Sequence, residues 1–307
     1  MWTIIVLLLV LVGAAGCGQF AQQQAERDFP PLGSFVEVEG LKLHYIEKGE
    51  GVPVLLLHGA SGNVRDWQLS IFDQVAAKHR AIAFDRPGHG YSERPKERGY
   101  DPRVQARLIH AAMKKLGLEK PVIVGHSWSG AMALAYALQY PEDTGGILFL
   151  SGVSHPWPGG VGLNAEIASQ PVIGSLFVNT LVPVAAPFVV DGAIAANFAP
   201  NPVPEGYGEK VGIALFTRPA NYQANAEDLT NLKAMVAEMA PSYSQITAPL
   251  IIMTGDQDNT IWPHIHSVKL KEKLPGAEYI VLKDTGHMPH HARPAEVLAA
   301  IDRLAAR

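Results

Sequence analysis

The residues with the makings of nucleophilic catalysis are a serine, a histidine and an aspartate, each just after a run that reads as a β-strand. Ser127 lies in Val122-Ile-Val-Gly125-His126-Ser127-Trp128-Ser129-Gly130-Ala131, an apolar strand that turns tightly into a helical run. A serine on such a turn is pushed out above the sheet, with its hydroxyl at the helix N-terminus. Only small neighbours fit there. Gly125 and Ser129 supply them, Ser129 standing where the usual pattern has glycine, and Gly130 keeps the helix close to the sheet. A serine hydroxyl is a poor nucleophile near neutral pH, so it needs a general base, and the base needs an orienting acid. Thr285-Gly286-His287 offers the base and Gly255-Asp256-Gln257-Asp258 the acid, both on loops that follow strands. Asp258, further out on its loop, is the better acid; Asp256 is the alternative, its other role being to hydrogen-bond amides within the turn. The chain order Ser, Asp, His suits a nucleophile on a strand–turn–helix element. A tetrahedral intermediate puts negative charge on oxygen, which two preorganised N–H donors stabilise in a dry site. In Leu57-His58-Gly59-Ala60-Ser61-Gly62 the Ala60 amide pairs naturally with that of Trp128, and Gly59 lets the loop come close.

These groups need a scaffold that brings several strand ends to one edge. Val36–Val38 and Leu43–Ile46 alternate apolar and polar residues around Glu39-Gly40, the pattern of a hairpin. Pro53–Leu57, Ala81–Phe84, Val122–Val124, Ile147–Leu150, Leu250–Met253 and Tyr279–Leu282 are apolar throughout, which suits strands buried on both faces. Between them fall helical patterns: Asp101-Pro102 caps a helix running to about Leu116, Trp128–Tyr140 is Ala-rich, and Pro294–Arg307 is amphipathic. Strands alternating with helices imply an α/β fold with a parallel, doubly wound sheet. From Ser151 to about Thr247 no buried strand appears and prolines are frequent; pieces such as Leu176-Phe177-Val178 and Pro187–Val190 suggest short helices with an oily face. An insertion of that length must sit outside the sheet, as a cap over the carboxyl edge of the strands. Phe177 and Phe188 either line an acyl pocket there or anchor the cap.

From about Ser34 to Arg307 the chain resembles the α/β-hydrolase superfamily. The matching motifs are His58-Gly59, Asp85-Arg86-Pro87-Gly88-His89-Gly90-Tyr91-Ser92, Gly125–Ser129, Gly255–Asp258 and Gly286-His287. The resemblance implies eight mostly parallel strands with a helical cap after the sixth, Ser127, Asp258 and His287 as triad, and the amides of Ala60 and Trp128 as oxyanion hole. The segments are then residues 34–151 and 248–307 for the core and 152–247 for the cap. Asp85–Ser92 is especially similar to its counterpart in epoxide hydrolases, haloalkane dehalogenases and cofactor-free haloperoxidases. The first two attack sp3 carbon with a carboxylate, and an alkyl ether on Ser127 has no hydrolytic exit. The serine therefore argues against both, although Tyr207, Tyr222 and Tyr243 otherwise resemble ring-opening acids. Acyl chemistry on a small hydrophobic substrate, without a cofactor, is the expectation. Perhydrolase or haloperoxidase-like, C–C and amide hydrolysis run on the same triad, and a ligand-binding protein without fast turnover is the non-enzymatic alternative.

Composition narrows the partners. With 25 Lys+Arg against 29 Asp+Glu and a formal net charge of −4, no basic surplus exists to neutralise phosphates, so nucleic acid is not expected as partner. A charged fraction of 18% beside 48% hydrophobic residues is too apolar for a disordered chain. One cysteine makes neither an intrachain disulfide nor a thiolate metal cage. His264, His266, His290 and His291 lack an HExxH spacing, so no metal is expected and they read as surface or outer polar groups, as His58 and His89 read as loop-bonding ones. Asp66-Trp67 reads as core packing. Residues 2–15 carry no charge, and a helix of that length, about 20 Å, suits a signal h-region better than a span. Ala14-Ala15-Gly16-Cys17 resembles a bacterial lipobox, with residues 1–17 as signal, Cys17 as lipidation site and residues 18–33 as tether. An exported protein held at the membrane follows; a plain secretion signal or an uncleaved signal-anchor are the alternatives. Labelled palmitate is expected to enter the wild type and not Cys17→Ala; equal incorporation in both contradicts the lipid anchor.

Overall fold

The computed structural model describes residue 16 and residues 18–307, so the expectations on residues 1–15 and Cys17 lie outside the described residues. Eight strands form one sheet: β1 (Ser34–Val38), β2 (Leu41–Lys48), β3 (Pro53–Leu57), β4 (Arg80–Phe84), β5 (Val122–His126), β6 (Gly146–Leu150), β7 (Leu250–Gly255) and β8 (Glu278–Leu282). Their spatial order is β1-β2-β4-β3-β5-β6-β7-β8. The first two are an antiparallel hairpin, β2 runs antiparallel to β4, and every pairing from β4 to β8 is parallel. The strands are apolar on both faces because both faces are covered. Alternation along each strand sends Leu55, Leu57, Ile82, Phe84, Ile123, Phe149 and Ile252 into one core and Val54, Leu56, Ala83, Val124, Leu148 and Met253 into the other. Helices Pro102–Lys115 and Ser129–Gln139 cover the first face; Pro294–Ala305 and the Val64–Ala76 region cover the second. Asp101 caps the first of these helices through the amide of Arg103, as its sequence suggests.

Parallel strands share a direction, so the segments after β3, β5, β7 and β8 all emerge at one edge. These are the loops that carry Ala60, Ser127, Asp258 and His287.

Two expectations need correction. The presumed tether is a helix over residues 18–28: its Ala-, Gln- and Glu-rich run favours helix, Gln24 bonds Asp28 one turn on, and Ala25 is buried. The segment between β6 and β7 is helical, as expected, but its principal helices are long: Pro171–Phe198 and Pro219–Met239. Pro183 and Pro187 lie inside the first without ending it. Each removes one intrahelical N–H, and the helix runs on past both. Gly174, Val178 and Val182, spaced four apart, turn inward, where the latter two pack with Ala165, Ala168 and Ala226.

Several histidines are closed inside the fold as neutral rings. His58, at the end of β3, donates from Nδ1 to the Gly59 carbonyl (2.8 Å) and accepts the Arg86 amide at Nε2 (3.0 Å). Burial, reinforced by the Arg86 charge, lowers its pKa from 6.5 to about 4. Burial brings His155 and His266 down to about 4 as well, and pushes His89 and His126 well below the usual imidazole range. The unfolded chain protonates these rings near 6.5 and the fold resists until about 4, so the unfolded state binds more protons in between. Stability is therefore expected to fall as pH drops through that window, His58 alone accounting for on the order of 3 kcal/mol. Urea unfolding across that range measures it; an unfolding free energy that stays level would mean the rings are not held neutral.

Candidate active site

Ser127 follows β5 at φ +55°, a left-handed conformation that is costly for a residue with a Cβ, about 1–3 kcal/mol. Backbone bonds enforce it: the Ser127 amide donates to the Leu150 carbonyl (3.1 Å), and the Ser127 carbonyl accepts from Gly130 (2.9 Å) and Val153 (3.0 Å). The turn is thus pinned to the end of β6 and to the helix it starts. Crowding explains two glycines. A Cβ on Gly125 would stand 2.5 Å from the Ser129 carbonyl oxygen, and one on Gly59 would stand 2.8 Å from the Ser127 Cβ. Ser129 does more than fit, because its hydroxyl donates to the His58 carbonyl at 2.5 Å and ties the serine turn to the loop after β3.

The Ser127 Oγ lies 2.9 Å from Nε2 of His287, and Nδ1 of His287 lies 2.8 Å from Oδ2 of Asp258. A carboxylate only accepts, so Nδ1–H donates to Asp258 and Nε2 is left to accept the serine proton. The other Asp258 oxygen accepts the amides of Thr260 (3.0 Å) and Ile261 (2.8 Å), which fixes the carboxylate plane. All three residues are buried. Asp256 points elsewhere: its carboxylate accepts the Thr285 amide at 3.1 Å and braces the loop that carries His287.

Further residues that the sequence did not single out hold the base. His126 Nε2–H donates to the His287 carbonyl (2.9 Å), and Asn201 accepts the Gly286 amide (2.9 Å). The loop after β3 is held from the segment that follows β6, Asn225 accepting the Ser61 amide at 2.7 Å. Trp128 is clasped too: its indole N–H donates to the Asp228 carbonyl (3.1 Å), and the Arg86 guanidinium lies over its ring at 4.0 Å while pairing with the Asp228 carboxylate at 2.8 Å. The amides of Ala60 and Trp128 have no acceptor among the described residues. No local pattern flags Asn225 or Asp228, which are more than ninety positions away from what they hold.

Above Ser127 opens a cavity of about 420 Å³. Gly59, Ala60, Trp128 and His287 line it from the core, and Trp157, Val161, Ile194, Phe198, Leu229 and Leu232 from the segment between β6 and β7. Among the described residues its wall includes no Lys or Arg. Neither Phe177 nor Phe188 reaches it. Phe177 packs beside Val178 and Val182, and Phe188 is 86% exposed.

Asp66, His126 and His290 each place one potential ligand atom within 4.8 Å of the others. Their hydrogen bonds work against a cation. Asp66 accepts from His290 Nε2 (2.9 Å), His291 Nε2 (2.8 Å) and the Tyr207 hydroxyl (2.8 Å). For His290 to ligate through Nε2, its proton would move to a buried Nδ1 that has no partner. Of the other histidines singled out, His266 is buried, accepts the Ser154 amide and borders the cavity, while His264 is exposed beside Trp262. His89 accepts from Arg86 at 3.0 Å.

A family model described as the alpha/beta hydrolase family matches residues 54–301, and the chain belongs to that family. Its relatives include the 2-hydroxy-6-oxononadienedioate/2-hydroxy-6-oxononatrienedioate hydrolase of Comamonas testosteroni, 29% identical over 272 residues, covering 81% of this chain and 86% of the relative. Lipase 1 of Psychrobacter immobilis is 29% identical over 262 residues, covering 83% and 78%. Among solved structures, Est816, described as an N-acyl homoserine lactone degrading enzyme, superposes with a TM-score of 0.67 at 27% identity, covering 88% of this chain and 99% of that one. The chain is an enzyme of hydrolase type. Its geometry separates the two aspartates of the β7 loop. Asp258→Asn is expected to lower kcat about 10³- to 10⁴-fold, while Asp256→Asn, which keeps an oxygen for Thr285, stays within about tenfold of wild type. Equal losses in the two variants would contradict the assignment.

Proposed function

We propose that the chain is a serine hydrolase that cleaves an uncharged carboxylic ester through an acyl-enzyme on Ser127. The observation that carries this is the buried row Ser127–His287–Asp258, joined at 2.9 and 2.8 Å, at the base of a mostly apolar cavity. Ser127 Oγ attacks the ester carbonyl carbon as its proton passes to His287 Nε2, and the carbonyl oxygen becomes an oxyanion facing the amides of Ala60 and Trp128. The bond to the alcohol oxygen breaks, and that oxygen takes the proton back from His287. Water then gives a proton to His287 and its oxygen to the acyl carbon. Collapse releases the carboxylic acid and returns the proton to Ser127. Asp258 holds the imidazole in the tautomer this shuttle needs and stabilises it while charged.

The relatives include a hydrolase named for a dienedioate as well as a lipase, and the cavity favours an uncharged ester. The hydrolase of Comamonas testosteroni is named for a dicarboxylate, and a carboxylate buried against this wall would meet no Lys or Arg among the described residues. An apolar wall suits a hydrophobic acyl or alcohol part. Placement in the envelope, through Cys17 or the apolar residues before it, belongs to the same proposal.

Wild type is expected to hydrolyse p-nitrophenyl butyrate and to be labelled covalently by a fluorophosphonate, and Ser127→Ala is expected to lose both, with kcat down about 10⁴-fold or more. Undiminished turnover by Ser127→Ala refutes the mechanism. Turnover of a vinylogous 1,5-diketone acid in preference to the ester refutes the substrate class.

A further inference from the structure

The helix Pro171–Phe198 carries one charged residue, Asp191, and an 18-residue window of it has a mean hydropathy of 1.9 with only 22% of that window buried. On the side away from Gly174, Val178 and Val182, the side chains of Val172, Ile173, Leu176 and Val184 stand in the open, with exposed Phe188 at the flank of that face. So large an apolar surface on a water-soluble face is a liability unless something covers it. We infer that this outer face docks into the hydrocarbon boundary of a lipid bilayer, and that the enzyme draws its ester substrate from that bilayer.

The chain itself indicates the occupant. Gly18 is buried against this helix: a Cβ there would stand 2.7 Å from the Asn179 carbonyl oxygen and 3.4 Å from the Pro183 ring. The described chain thus comes to the middle of the exposed helix at Gly18, and the uncharged residues 2–15 precede that point in the sequence. Residues 2–15 do not suffice as the cover. Even if helical, a run of that length would measure about 20 Å, against about 40 Å for Pro171–Phe198. The near-absence of charge points to acyl chains rather than to charged headgroups or an ionic protein partner. The helix lies on the membrane rather than across it, since its inner side packs on Leu163–Ala168 and Pro219–Met239. Its last turns place Ile194, Asn197 and Phe198 in the wall of the Ser127 cavity, so the element that meets lipid also borders the site.

The substrate half of this inference rests on the ester-hydrolase reading, whereas the docking half is measured without turnover. The full chain carrying Cys17→Ser and Phe188→Cys is labelled with a nitrobenzoxadiazole dye and mixed with palmitoyl-oleoyl phosphatidylcholine vesicles. A matching label through Glu142→Cys, exposed just before the amino end of β6, is the control. Emission at 188 is expected to shift to the blue and to be quenched when the acyl chains are brominated, with the control unmoved. Unshifted emission on vesicle-bound protein overturns the docking. So does a shift that brominated lipid does not quench, because residues 2–15 or a second copy then cover the face. For the substrate half, Val184→Asp with Phe188→Asp is expected to lower hydrolysis of vesicle-dissolved p-nitrophenyl laurate on the order of tenfold, about what one lost aromatic burial amounts to. Hydrolysis of soluble p-nitrophenyl acetate is expected to stay at the wild-type rate. Equal effects on the two esters, including none, overturn the membrane route. Failure of the wild type on both esters, with the dye still quenched, refutes the ester reading alone.

Discussion

A non-glycine residue in the left-handed region stays there only if its surroundings leave it no other choice, and the site is organised around that requirement at Ser127. The restraints are backbone ones, to Leu150, Gly130 and Val153, so they do not depend on which side chains line the cavity. The same turn leaves no room for a Cβ at Gly59 or Gly125. Close approach brings the loop that carries Ala60 against Ser127. Strain at one residue and crowding at its neighbours are thus two aspects of one arrangement.

The segment after β6 does more than roof the cavity. Arg86 and Asp228 are both fully buried, and taking such a pair out of water is costly unless every remaining polar atom is used. Asp228 also receives Arg94 at 3.0 Å and Gln105 at 3.2 Å, so the carboxylate is well served, whereas Arg86 Nε has no partner among the described residues. Its backbone carbonyl meanwhile holds the Trp128 indole, and one turn earlier Asn225 holds the Ser61 amide. Helix Pro219–Met239 thereby fixes both loops that present free amides. The same helix contributes Leu229 and Leu232 to the cavity wall.

Histidine tautomers follow a consistent rule across the site. His58, His126 and His287 each donate one ring proton to a fixed acceptor. In His58 the other nitrogen accepts a backbone amide, in His126 it is unpartnered, and in His287 it faces Ser127. Burial keeps the first two neutral, and only His287 has both a carboxylate on one nitrogen and a hydroxyl on the other. That pairing sets His287 apart from His58 and His126, whose bonds run to backbone.

How much was readable in advance depends on the range of the physics involved. The strands were legible because burial on both faces writes itself into consecutive residues, and their shared direction followed from alternation with helices. Ser127, Asp258 and His287 were legible as well, since each directly follows such a strand, and the outward position of Asp258 already favoured it over Asp256. Local patterns misled where neighbours distant in sequence decided the outcome. Pro183 and Pro187 predict a break, yet the helix runs on through them. Phe177 and Phe188 look alike in sequence, yet one packs inside the cap and the other faces outward. In residues 18–33 the Gln and Pro content reads as a linker, but the Gln-rich half up to residue 28 is helical and Ala25 and Gly18 find a surface to pack on. The contacts made by His126, Asn201, Asn225 and Asp228 have no local signature. Periodicity and turn chemistry are properties of adjacent residues and so survive in one dimension. Which polar atom satisfies which buried partner is settled only when the sheet brings separate stretches of chain together.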